Sequence, residues 1–193
     1  MKLYHYSVES FPAGDDELIG DYKHQYSMYE PYILCLRNHK NLFDIMLYMA
    51  RYNQVCAEDK GKRMFSFWAK DATEAVFEYV RTMEFAEASA SRITGIYYCE
   101  SSEQAIKYLT EDCINTAGFK KEDVSLFEIE LEKDIFFTYD QSFYNEAYEF
   151  IKKFDVENAV QCARCYFNGN RKENPRIEII SEERNKIVRR IEF

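Results

Sequence analysis

Residues 92–113 read RITGIYYCESSEQAIKYLTEDC, and two different periodicities meet inside them. Arg92 to Cys99 is rich in β-branched and aromatic residues, with one Gly inside the run, which is the composition of a strand. From Ala105 onward the apolar positions are Ala105, Ile106, Leu109 and Cys113, the spacing of one helical face. Between the two runs, Ser101 or Ser102 offers a hydroxyl to the unsatisfied N–H groups of a first helical turn. Gln104, three residues after Ser101, completes a capping box. The stretch therefore predicts a strand that passes through a short capped turn into a helix, and so a mixed fold.

Working outward, residues 3–8 are short and aromatic and fit a first strand ending near Phe11-Pro12-Ala13-Gly14. Residues 41–58 place Leu42, Ile45, Met46 and Met49 at helical spacing. Asp71 and Glu74 form a capping box that opens a helix with an apolar stripe of Ala72, Ala75, Val76, Tyr79, Val80 and Met83. In VSLFEIELE, residues 124–132, Phe127, Ile129 and Leu131 alternate with Glu128 and Glu130, the pattern of a strand with one wet face. Helical spacing returns over 141–154 and in a second helix to Tyr166. Two strand-like runs, NPRIEII and NKIVRRIEF, close the chain around a polar turn at residues 181–184. Strands at both ends with helices between predict an α+β domain rather than a parallel doubly wound sheet.

Bulk properties narrow the class further. A chain of 193 residues with 3 Pro and 6 Gly has no linker or low-complexity tract, so a single domain over 1–193 is expected. A net charge of −9 disfavours nonspecific capture of nucleic acid on a basic surface. No apolar run approaches the ~20 residues that span a bilayer, so no membrane partner is expected. MKLYHYSVES is too short and polar for a signal peptide, and six irregularly spaced Cys read as reduced thiols. The expected location is cytoplasmic.

Several signatures of common chemistry are missing. Cys162 and Cys165 have C-x-x-C spacing without a second pair to complete a zinc site, so no metal is expected. There is no Gly-rich phosphate loop of Walker or Rossmann type and no G-x-S-x-G elbow. Three residues nevertheless stand out. His5 lies between two tyrosines in LYHYS, Tyr97 lies in the strand run, and Glu178 lies inside RIEII between isoleucines. Singly, each is more often a core or surface residue than a functional one.

Together they form a pattern. LYHYS resembles the first-strand histidine motif of the diphtheria-toxin and poly(ADP-ribose) polymerase type of ADP-ribosyltransferase. GIYYCESSEQAIKYL resembles that group's second motif, a Gly-Ile-Tyr strand followed by a capped helix. NPRIEIISEERNKIVRRIEF resembles the third, a glutamate-bearing strand, a turn and a last strand. The phrases EAVFEYVR, ASRITGIYYCES and SLFEIELE are similar to a small bacterial family catalogued as domain of unknown function 2441.

The first resemblance implies split antiparallel β-sheets with helices packed between and around them. It implies an enzyme that cleaves the nicotinamide–ribose bond of NAD, its substrate, and passes ADP-ribose to an unknown acceptor. His5 would bond the adenosine ribose, with Ser7 beside the nicotinamide-side wall. Tyr97 would stack on the nicotinamide ring. Glu178 would bond the nicotinamide ribose 2′-hydroxyl and stabilise the oxocarbenium-like charge as nicotinamide leaves. Two alternatives share the fold: a binding module without catalysis, and an RNA 2′-phosphotransferase, which the acidic balance disfavours. One departure is Tyr6, at a position usually held by Gly in the polymerases; its side chain must point away from the site. Arg92, ahead of the second motif, reads either as a phosphate ligand or as a surface charge.

Overall fold

The structure is a computed structural model that describes residues 1–8, 18–20, 26–38, 61–86 and 88–193. The turn expected at residues 11–14 and the helix expected over 41–58 lie outside them. The chain divides into two compact units. The first takes residues 1–21, 95–138 and 177–193; the second takes 22–94 and 139–176.

The described strands form two sheets with antiparallel pairing. In one, β1 (Lys2–Ser7), β4 (Ser125–Leu131), β7 (Asn185–Ile191) and β2 (Leu18–Ile19) lie in the order β1-β4-β7-β2. In the other, β3 (Ile96–Tyr98), β6 (Ile177–Ser181) and β5 (Phe137–Asp140) lie in the order β3-β6-β5. The fold is thus α+β with antiparallel sheets. The polar turn at 182–184 does not make a hairpin, because β6 and β7 belong to different sheets. Ser181 Oγ donates to the carbonyl of Ile135 and accepts from the N–H of Glu183, while Asn185 Nδ2 donates to the Glu183 carbonyl. Short-range bonds thus close the turn on itself while its two strands run to different partners. Beside it, Gly20 has φ +132°, and a Cβ there would lie 2.8 Å from the Glu183 carbonyl oxygen. Only Gly combines that backbone with so close an approach.

The cap at Ser101 forms, but not the reciprocal capping box, because Gln104 Oε1 accepts from the N–H of Glu100 and not from that of Ser101. Ser101 Oγ accepts from the N–H of Gln104 at 3.2 Å, and α3 (Ser102–Leu109) follows, passing into a π-helical segment over Thr110–Thr116. Ala105, Tyr108 and Leu109 pack with Cys99, Val124 and Leu126. The strand before it is shorter than expected. Ser91 Oγ accepts from the N–H groups of Ile93 and Thr94, a side-chain turn that competes with extended backbone. Pairing starts only at Ile96.

Strand β4 meets the wet-face expectation at Glu130, which is exposed, but not at Glu128. Glu128 is buried, at 2% exposure, under the stems of two basic residues. Lys2 Nζ lies 2.6 Å from one of its oxygens, and Arg189 Nη2 lies 2.8 Å from the other. Long basic side chains cover a carboxylate while keeping their heads in water.

In the second unit, α2 (Gly61–Val80) does not open at Asp71. Thr73 Oγ1 donates to the Ala69 carbonyl, a bond to residue i−4 that requires a turn already formed. Ala72, Ala75, Val76 and Val80 are fully buried as their spacing predicts, but Met83 is exposed. Met83 sits in a π-helical segment, Arg81–Phe85, whose wider turn rotates it off the stripe. Among the described residues, helices α1 (Tyr26–Arg37), α4 (Ser142–Ile151) and α5 (Val156–Phe167) also belong to this unit.

Arg92 is neither of the things the sequence suggests. It is buried; its Nε donates to Glu74 at 3.1 Å and its Nη1 to the Tyr166 hydroxyl at 2.9 Å. Its guanidinium lies 4.0 Å from the centre of the Tyr144 ring. Asp140 is likewise structural. Burial pushes its carboxyl up, but the N–H groups of Lys172, Ser142 and Arg176 prevail and hold it below its ordinary value. One carboxylate thereby ties both ends of the loop before β6.

Candidate functional site

The first unit contains all of His5, Ser7, Tyr97 and Glu178, and the strand register relates them. Strand β1 touches β3 through one bridge, Tyr4 with Cys99, which exchange both backbone hydrogen bonds at 3.0 and 2.8 Å. Backbone groups that point to one neighbour alternate along a strand, so the carbonyl of Tyr97, two residues from Cys99, points to the same side. There it meets a side chain: His5 Nδ1 donates to the Tyr97 carbonyl at 2.8 Å. An imidazole thus stands where the short β1–β3 contact ends and the two strands continue into separate sheets.

That bond fixes the tautomer of the neutral ring. A carbonyl only accepts, so Nδ1 carries the proton and Nε2 is the accepting nitrogen. The ring also meets Tyr98 edge-on, with centroids 6.0 Å apart and planes at 65°. Tyr98 is itself held, because Asn185 Nδ2 donates to its hydroxyl at 2.9 Å. The sequence does not single out Tyr98 or Asn185. In Tyr97-Tyr98 the two rings lie on opposite faces of a strand, and Tyr98 is the one that packs on His5.

Tyr97 and Glu178 share a face of the other sheet. Tyr97 is the direct partner of Ile180, and Tyr98 of Ile179. Direct antiparallel partners point the same way and residues two apart repeat the face, so Glu178 is the diagonal neighbour of Tyr97. Such neighbours lie roughly 7–8 Å apart at the backbone, within reach of an aromatic and a long side chain. Glu178 is buried at 6% exposure, unusual for a carboxylate. Gln104 secures this arrangement from the helix side. Its Nε2 donates to the Ile177 carbonyl and to the Tyr108 hydroxyl, both at 3.2 Å, and its Oε1 accepts from the N–H of Glu100. The capped turn is therefore fastened to the residue just before Glu178.

His5 reaches the main chain of Tyr97, not its ring, and packs on Tyr98 instead. Ser7 lies two residues on, half-buried and paired with Ser125. Tyr6 does point away. Its hydroxyl donates to Asp112 Oδ2 at 2.8 Å, and its ring packs on the cluster beneath α3. The helix-borne Cys162 belongs to the second unit. Burial and then the Glu146 carboxylate push its thiol up to about 12, which keeps it protonated and poorly nucleophilic.

Among the described residues, no helix is long and apolar enough to cross a membrane. A family model described as Protein of unknown function (DUF2441) matches residues 28–193, and the chain belongs to that family. No curated protein matches the sequence.

Proposed function

We propose that this member of the DUF2441 family binds NAD through His5, Ser7 and Tyr97 and cleaves its nicotinamide–ribose bond with Glu178. The ADP-ribose then passes to an acceptor. The observation that carries this reading is the bond from His5 Nδ1 to the Tyr97 carbonyl, at the point where β1 and β3 separate, with Glu178 diagonal to Tyr97 on β6. It links the strands that carry the three motifs, although the motifs lie about 90 and 80 residues apart along the chain.

In this reading, His5 Nε2 accepts a ribose hydroxyl proton while the Tyr97 carbonyl orients the ring. Tyr97 gives a flat face to the nicotinamide. Glu178 holds a negative charge where the ribose becomes positive as nicotinamide departs, so it stabilises the transition state more than bound NAD. Burial strengthens that interaction, because a low dielectric weakens electrostatic forces less than water does. The bond between C1′ and the nicotinamide nitrogen breaks with its electron pair going to nicotinamide. The acceptor's nucleophile then supplies the pair for the new bond to C1′. The split antiparallel sheets and the outward turn of Tyr6 support the same reading.

The test is labelled NAD incubated with wild-type protein and with Glu178→Gln, scoring nicotinamide release and label transfer together. Loss of an electrostatic catalyst of this kind slows turnover by about 100-fold or more. Unchanged nicotinamide release in Glu178→Gln refutes the role of Glu178. The burial of Glu178 favours one second reading, in which the carboxylate is structural and the chain binds without catalysis. NAD raising the melting temperature without being consumed distinguishes it.

A further inference from the structure

We infer that Arg190 is the cation that takes the pyrophosphate of an NAD molecule held at His5; this deepens the proposed function and rests on it. Register is the first ground. His5 pairs directly with Phe127 on β4, and Phe127 pairs directly with Arg190 on β7. Direct partners share a face, so the three form one row across the sheet. Neighbouring strands lie about 4.8 Å apart, which places the backbones of His5 and Arg190 about 10 Å apart. Phe127 between them is fully buried and leaves no polar group of its own in the middle of the row.

The second ground is the division of this face. Toward one end it carries Leu3, Ile129 and Ile187, all fully buried. Toward the other, the pairing places Ser7 opposite Ser125, in the row beyond His5 and Arg190. The imidazole, the hydroxyls and the guanidinium thus gather at the end where β1 and β3 separate.

The third ground is the contrast between two consecutive arginines. Arg189 faces the opposite side and is committed to Glu128, through Nε at 2.9 Å and Nη2 at 2.8 Å. Arg190 is exposed, and among the described residues no carboxylate pairs with it. In a chain of net charge −9, an unpaired cation on the His5 face is what a dianionic ligand requires. Guanidinium suits the task because its planar fork meets two phosphate oxygens at once. The ligand chemistry fits the spacing: a ribose bonded at His5 carries its phosphate one carbon away, and the flexible Arg190 side chain crosses the width of one strand.

The test measures binding of NAD, ADP-ribose and nicotinamide riboside, which lacks the pyrophosphate, by calorimetry on the full chain. Wild type is compared with R190Q, R190K and H5A, each first checked for an unchanged melting temperature. Loss of a charge-assisted bidentate contact weakens binding by about ten- to a hundredfold. R190Q is therefore expected to lose that much for NAD and ADP-ribose and less than about twofold for nicotinamide riboside. R190K should fall between, and the salt dependence of NAD binding should flatten in R190Q. If R190Q binds NAD as wild type does while H5A is weakened, the phosphate role is overturned and the NAD site stands. Equal weakening toward nicotinamide riboside also overturns it, since the loss then does not act through phosphate. If wild type binds neither NAD nor ADP-ribose, the inference falls together with the proposed function.

Discussion

Replacing Arg92 by Met tests the assignment of this arginine to the core. Arg92 Nε meets Glu74 at 3.1 Å, and the two side chains are 4% and 9% exposed. Nη1 meets the Tyr166 hydroxyl, and the guanidinium covers the ring of Tyr144. Arg92→Met keeps most of the volume but leaves Glu74 as a buried carboxylate without its partner. Breaking a buried pair in this way costs about 3–5 kcal/mol. That is at least about a fifth of the roughly 5–15 kcal/mol that holds a typical protein folded. Replacing both partners removes the orphaned charge, so Glu74→Met with Arg92→Met should recover most of the loss. The Tyr144 contact contributes about 2 kcal/mol when desolvated, and that part is not recovered. The assay is urea unfolding of wild type, both single variants and the double variant, followed as a double-mutant cycle. A loss below about 1 kcal/mol in Arg92→Met, or a double variant no more stable than that single one, refutes the account.

The remaining predictions concern titration. Lys2 hydrogen-bonds Glu128 and, with Arg189, holds its carboxyl below the ordinary 4.5 against the upward push of burial. A depressed folded value adds stability that is complete above the unfolded pKa and is lost as the pH falls through the folded one. Urea midpoints should therefore drop as the pH falls below about 4.5, and Glu128→Gln should flatten that fall. A Glu128→Gln profile parallel to wild type contradicts the assignment. The Cys162 thiol, pushed up to about 12 by burial and Glu146, should resist iodoacetamide at pH 8 in the native protein and react once it is unfolded in urea. Native alkylation at the rate of a free thiol rules this out.

The local elements were legible where local chemistry decides them. Ser101 and Gln104 specify a helix start within four residues, and the structure closes that turn with the expected bond. The failures share a cause. Glu128 alternates with apolar neighbours as a solvent-facing residue does, and nothing nearby in sequence shows that Lys2 and Arg189 bury it. Asp71 and Glu74 fit a cap, but the partner that claims Glu74 is Arg92, 18 residues away. In each case a charge was assigned by its neighbours in sequence while its position is set by a partner in space. The same limit hid the break between the last two strands. A polar turn over residues 181–184 between strand-like runs does not say how those strands pair, and only the register assigns β6 and β7 to different sheets.

That break bears directly on the candidate site. If β6 and β7 were paired as a hairpin, Glu178 and Arg190 would lie in one sheet. Because they part at 182–184, Glu178 goes to the sheet that carries Tyr97 and Arg190 to the sheet that carries His5. The single bridge between Tyr4 and Cys99 is the corresponding point on β1 and β3. Each of the two sheets thus carries one half of the proposed site: Arg190 with His5 in one, and Glu178 with Tyr97 in the other. His5 links them, because its ring belongs to one sheet and its Nδ1 proton to a carbonyl of the other. The histidine therefore does more than pack on Tyr98. By holding the edge of β3, it sets where Tyr97 and Glu178 stand relative to Arg190.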